Sequence, residues 1–356
     1  MRSLPRNIRR TAEDVNRQQP ALRAYYLPMI RPYRPLLYAL AALGGFAVLF
    51  IGAGLAGWWT PAANEQAIGE ISRWCERVAG GILREPSNTL GNLGFIVVGL
   101  SMFAVLARDT ALGRDQNNRF IGNQRTALLY ASAVVFLGPG SMVMHGSHTF
   151  FGAWLDNLSM IAYILIPWLF NLGILGRWRD RRFFGVYGSI LAAYAVGYWT
   201  LGSDLGIGLD LFGLSIALWV ISEVLYRFWS PTMRWASGLV GFVVAIVFGI
   251  TPTVIVNEFS QYWWVVLFWV PSMFATHPPV TRRRYTPWYW AGFGFFLVAY
   301  AIWTTGVPES ARCNPDSIFQ AHAGWHLLTA LATWAFFKFL RTEHRTGAAA
   351  NEPKTT

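Results

Sequence analysis

Ten stretches of this 356-residue chain are apolar over spans long enough to cross a bilayer, for which roughly 20 residues of helix suffice. They lie near 36–59, 88–107, 127–147, 150–175, 183–203, 207–228, 237–256, 262–277, 287–305 and 318–340. The 262–277 stretch is the weakest, being short and interrupted by Pro271. Charged residues make up only 13% of the chain, about half of what a soluble domain carries. The fold class this implies is all-α, a polytopic transmembrane bundle of about ten helices.

The loops test that count. Cytoplasmic loops of membrane proteins carry an excess of Lys and Arg. If the N-terminus is cytoplasmic, the inside loops and both termini hold 25 of the 29 Lys and Arg. The outside loops hold the other four, Arg73, Arg77, Arg84 and Arg312. A miscounted helix would scramble this bias, so both termini are expected on the cytoplasmic side. The same bias accounts for the net charge of +11 without a nucleic-acid partner; the expected partner is the lipid bilayer. Residues 1–35 read as a basic cytoplasmic tail. The 36–59 stretch is too long for a cleaved signal peptide and lacks a small-residue cleavage site, so it reads as an extra N-terminal transmembrane helix. Residues 60–340 read as the main domain and 341–356 as a disordered tail. Oligomeric state is not legible.

Ionisable residues inside apolar helices are costly and therefore candidates for function. The segment Gly138-Pro139-Gly140-Ser141 leads to His145, with Asp156 early in the next helix. Ser141 and His145, four apart, share one helical face. The second segment is Gln320-Ala321-His322-Ala323-Gly324-Trp325-His326. Two histidines at this spacing can grip one metal ion, although a hydrogen-bonded core pair has the same spacing. Topology joins the two segments, because the third stretch runs outward and the fourth and tenth run inward. Ser141, His145, Asp156, His322 and His326 all fall in the outer half of the membrane. Three imidazoles at one depth supply the protein ligands of a catalytic zinc and leave a fourth position for water. Asp156 could then move protons and Ser141 could donate to an oxyanion. Cys75 and Cys313 both fall in outer loops, where they can bridge or remain two thiols.

Four segments in order resemble the alkaline ceramidases, in the wider group of membrane hydrolases that includes adiponectin-receptor-like proteins. They are Trp74-Cys75-Glu76, Glu85-Pro86-Ser87-Asn88-Thr89, the Ser141/His145/Asp156 segment, and Cys313-Asn314-Pro315 leading to His322 and His326. The resemblance implies a seven-helix core, with His145, His322 and His326 holding zinc. It makes Asp156 the general acid/base, Ser141 its helper at the oxyanion, and Cys75–Cys313 a disulfide. It also offers Glu76 and Glu85 as calcium ligands, but Arg73 and Val78 stand where an Asp and an Asn are expected, which lowers the charge favouring calcium.

The function these residues imply is a zinc-dependent intramembrane hydrolase. Its substrate is a lipid amide, with ceramide cut to a sphingoid base and a fatty acid. Alternatives of the same architecture are a haem protein with axial histidines, and a receptor or transporter without hydrolysis. A serine protease using Ser141 is a poorer fit, because its serine and histidine usually come from different helices. Glu223, inside the sixth stretch, is expected to pair with a polar neighbour. His148 is expected at a turn beside the site.

Overall fold

Helices in this chain begin where prolines and short polar caps fall. The computed structural model describes residues 31–59, 74–114 and 117–345. Its first helices are α1 (Arg34–Leu55), α2 (Pro86–Gly91), α3 (Leu93–Ala111), α4 (Arg125–Ser147), α5 (Phe150–Leu175), α6 (Asp180–Leu201) and α7 (Leu211–Phe228). Short pieces follow: α8 (Pro231–Ala236), α9 (Gly238–Val247), α10 (Pro252–Asn257), α11 (Phe259–Tyr262), a 3-10 segment Trp263–Trp269, and α12 (Val270–Phe274). The chain closes with α13 (Trp288–Trp303) and α14 (Ala321–Leu340). Pro86 occupies the first turn of α2, where its missing N–H costs nothing. Thr149 caps α5 by accepting from the Gly152 amide at 3.0 Å, and Asp210 caps α7 through Gly213 at 2.9 Å; such caps satisfy amides that have no partner inside the helix.

Five helices are long and apolar enough by length and composition to span a membrane: Arg31–Leu55, Pro86–Ala111, Arg125–Ser147, Phe150–Leu175 and Leu211–Phe228. The 22-residue α6 and 20-residue α14 match them in length but carry more polar residues, among them His322 and His326. With α1 set aside, α2–α3, α4, α5, α6, α7, α13 and α14 supply seven main helices among the described residues. The two stretches expected near 237–256 and 262–277 are not single helices. The first breaks at Gly249, whose φ of +81° suits glycine, and restarts at Pro252. The second is mostly 3-10 before Pro271. Together they run out and back beside α7: Trp263 donates to the Ile207 carbonyl at one end, while Trp229 donates to the Ala275 carbonyl at the other.

The contacts between loops divide into two ends of the bundle. At one end Asn123 reaches Pro32, Asn118 reaches Leu340, Arg119 meets Asp180, and Thr281–Arg282 (β1) pairs antiparallel with His344–Arg345 (β2). At the other end Cys75 is bridged to Cys313, Arg77 pairs with Asp316, and the Arg84 amide donates to Gly146. This division matches the alternation of the basic loops. The C-terminal boundary differs from expectation. Residues 341–345, read as the start of a disordered tail, are ordered, with Glu343 accepting from Arg283 at 2.8 Å and His344 in β2. Residues 346–356, the tail to residue 30 and residues 60–73, including Arg73, lie outside the described residues.

Helices α4 and α5 are the most enclosed of the spans, and they approach to backbone contact. A Cβ on Gly152 would sit 2.8 Å from the Met144 Cα, and one on Gly140 would sit 3.0 Å from the Leu155 carbonyl. Only glycine fits such an approach. The turn between them is two residues, His148 and Thr149, with His148 in the left-handed region at φ 50°. A hairpin this tight sets Asp156, early in α5, beside Ser141, one turn from His145 on α4. On the other side, α2 packs on α14 with Gly91 against the Ala323 backbone, which brings His322 to the same place.

Candidate metal centre

His145 projects from α4, and His322 and His326 project from one face of α14. All three are buried. The His145 Nε2 lies 3.1 Å from the His322 Nε2 and 3.3 Å from the His326 Nε2. The three offer ligand atoms all within 4.8 Å of one another. The other nitrogen of His145, Nδ1, is taken: it donates to the Glu85 carboxylate at 2.5 Å. Its Nε2 therefore presents a lone pair. One in-plane lone pair accepts one good hydrogen bond, whereas two imidazoles crowd it. A shared cation satisfies all three rings at once. A tetrahedral ion bonded to nitrogen at about 2.0–2.1 Å holds two such nitrogens about 3.3 Å apart, which the two spacings from His145 match. The residues present fit a metal ion.

Glu85, read from sequence as a calcium candidate, sits instead behind His145. Its second oxygen lies 3.2 Å from the His148 Nε2, and its Oε2 also accepts from the Asn88 side chain at 3.0 Å. A carboxylate behind a ligating histidine fixes the ring and its tautomer. His148, expected at the turn, is buried against that carboxylate. Glu76, the other calcium candidate, accepts from the Ser87 and Asn88 amides at 2.6 and 2.8 Å, tying the loop that contains it to the start of α2. Both carboxylates are thus engaged within the protein. Val78, half-exposed on that loop, offers no oxygen side chain.

Asp156 is buried on α5, within electrostatic reach of His145 and beside the Ser141 hydroxyl. Three aromatic residues near these groups have no role that the sequence alone assigns. Tyr194 and Tyr198, one turn apart on α6, are buried and close enough to Asp156 to feel its charge. Aromatics on an apolar helix read as packing or interface residues, and only the α5–α6 contact reveals where they face. The third is Trp74, whose indole stacks on His322. A cavity of about 440 Å³ opens nearby between the Cys75–Cys313 bridge, Gln320 and Leu327, but none of the three histidines lines it.

Fold and site together define a helical membrane protein whose buried histidines can hold a metal ion beside a buried carboxylate. The haem alternative fits poorly, since the imidazoles touch one another and leave no room for a macrocycle between them. The family profile described as Ceramidase matches residues 71–354, and the chain belongs to the ceramidase family. That membership implies a hydrolase acting on an amide bond in a lipid substrate. The match begins after α1, so the first helix lies outside it. No curated protein matches the chain.

Proposed function

We propose that this protein is a zinc-dependent intramembrane amidase that cleaves a lipid amide, with ceramide as substrate and a sphingoid base and fatty acid as products. The observation that carries the proposal is the meeting of three buried imidazole nitrogens from two helices, with Asp156 and Ser141 alongside. Three nitrogen donors without thiolate suit zinc. His145, His322 and His326 would hold it. When bound, zinc supplies a Lewis acid that polarises the amide carbonyl and acidifies water.

The protein's own residues supply the rest. Glu85 keeps His145 in the tautomer whose Nε2 faces the site. Asp156 takes the proton from the attacking water as its oxygen bonds to the carbonyl carbon. It then passes that proton to the amide nitrogen, which leaves as the amine when the C–N bond breaks. Ser141 donates a hydrogen bond to the oxygen that gains charge. Tyr194 and Tyr198 place hydroxyl groups on the α6 side of Asp156, where a polar lipid head could be held. The site lies at the end of the bundle whose loops are poor in Lys and Arg. It therefore faces the outer leaflet, with both termini cytoplasmic, and substrate arrives sideways from that leaflet. A receptor or transporter would not need Asp156 beside the histidines.

The test is fatty-acid release from a panel of lipid amides, measured together with bound metal. Asp156→Asn should keep zinc and lose about 10²–10⁴-fold in turnover. Full turnover in that variant would remove Asp156 from the mechanism.

A further inference from the structure

The two ends of the histidine cluster are held by different forces. His145 is fixed by the hydrogen bond from its Nδ1 to Glu85. No described residue accepts from the His322 Nδ1, although that atom is buried. A ligating histidine normally has its second nitrogen tied, which sets the ring plane. His322 has a stacked indole in place of that tie. The Trp74 ring lies parallel to it, with centroids 4.0 Å apart and planes inclined by 15°.

Trp74 is itself clamped. Trp303 packs against it at 5.0 Å. The next residue, Cys75, is bridged to Cys313, and its amide donates to the Gly306 carbonyl at 2.7 Å. The loop thus enters from one side of α14, presses an indole onto the first histidine, and is locked there by a covalent bond. An imidazole bound to a cation becomes electron-poor, and an indole face attracts electron-poor groups. The stack therefore strengthens when the ring is bound to metal.

We propose that Trp74 is a positioning residue for His322, replacing the missing hydrogen bond, and that the Cys75–Cys313 bridge acts on the metal site through it. This rests on the zinc reading above. Other groups on the loop anchor it without touching the histidines, as Arg77 does by pairing with Asp316.

The experiment measures zinc affinity by competition with a chelator, in purified full-length protein, for wild type, Trp74→Phe, Trp74→Leu and Arg77→Ala. Cobalt-substituted spectra report ligand geometry in the same samples. Trp74→Leu keeps an apolar filler but loses the π face. It should bind zinc about tenfold more weakly or worse, with altered cobalt bands. Trp74→Phe should stay within about threefold of wild type, and Arg77→Ala should be unchanged. Reducing the disulfide should weaken zinc binding in wild type and add little in Trp74→Leu, as expected of two changes on one path. If the Leu and wild-type proteins bind zinc equally tightly, or Phe is no better than Leu, the inference is wrong. If wild type binds no zinc, it is the zinc reading that fails instead.

Discussion

Two buried polar networks sit at opposite ends of this bundle, and they differ in chemistry: one pairs an arginine with carboxylates of the same chain, the other gathers imidazoles that could hold a metal ion. At the basic end, Arg283 is buried and bonded to Glu223 at 3.0 Å, to Glu343 at 2.8 Å and to the Asn171 side-chain Oδ1 at 2.7 Å. Tyr285 donates to the remaining Glu223 oxygen at 2.8 Å, and the Tyr226 ring lies 4.0 Å from the guanidinium carbon. Burial works against the arginine's charge, but Glu223 and Glu343 outweigh it and hold Arg283 protonated. Cation and anions are all supplied by the protein. At the other end, three imidazole nitrogens face one another, and no Lys or Arg side chain of the described residues pairs with them. The contacts of Arg283 fasten α5, α7 and the β1–β2 strap, with only the Arg283 Nη2 lacking a hydrogen-bond partner among the described residues. The imidazole cluster joins α4 to α14 and could hold a metal ion.

The comparison breaks most easily at the histidines. His322→Ala should remove both bound zinc and amide hydrolysis, while thermal unfolding of the metal-free protein changes little; hydrolysis that survives would make the cluster structural. At the opposite end, Arg283→Met leaves two carboxylates buried without their cation. Stability should fall by about 3–5 kcal/mol, read as a lower unfolding temperature in detergent, with zinc affinity untouched. A loss of zinc in that variant would mean that the two networks are coupled. Glu85→Gln is a finer probe. It keeps the shape behind His145 but weakens the acceptor, and zinc affinity should drop by about 10–100-fold. An unchanged affinity would show that the tautomer of His145 is set by something else. The smallest effect belongs to Arg77→Ala, an exposed pair with Asp316. Surface pairs contribute little, and unfolding temperature and turnover should both stay at wild-type levels.

Much of this arrangement is legible in the chain because the membrane raises the cost of polar residues. His145, Asp156, His322 and His326 stand out against apolar neighbours, and loop charge alone places them at one level. The pairing of Glu223 follows from the same cost, though its partner Arg283 sits 60 residues away in a loop that reads only as inside-facing. Glu85 is harder. It precedes a helix in a loop of mixed charge, and nothing local says that the α2–α4 contact turns it toward His145. Trp74 and the Tyr194/Tyr198 pair are harder still, since aromatic residues serve packing, interfaces and sites alike. The helix count slips at 237–277 because hydropathy measures apolar length. It is blind to Gly249 and Pro252, which break one stretch, and to the 3-10 path of the other. The strap at 341–345 is also invisible locally, because its partners, Asn118, Arg283 and the 281–282 strand, are distant in sequence.

His145, His322 and His326 are proposed to share one metal ion. The most direct measurement is zinc per chain in the purified full-length protein, by elemental analysis, alongside hydrolysis before and after chelation. The protein should carry about one zinc per chain, lose hydrolysis when a chelator removes it, and recover when zinc is restored. Full hydrolysis by rigorously metal-free protein would contradict that proposal.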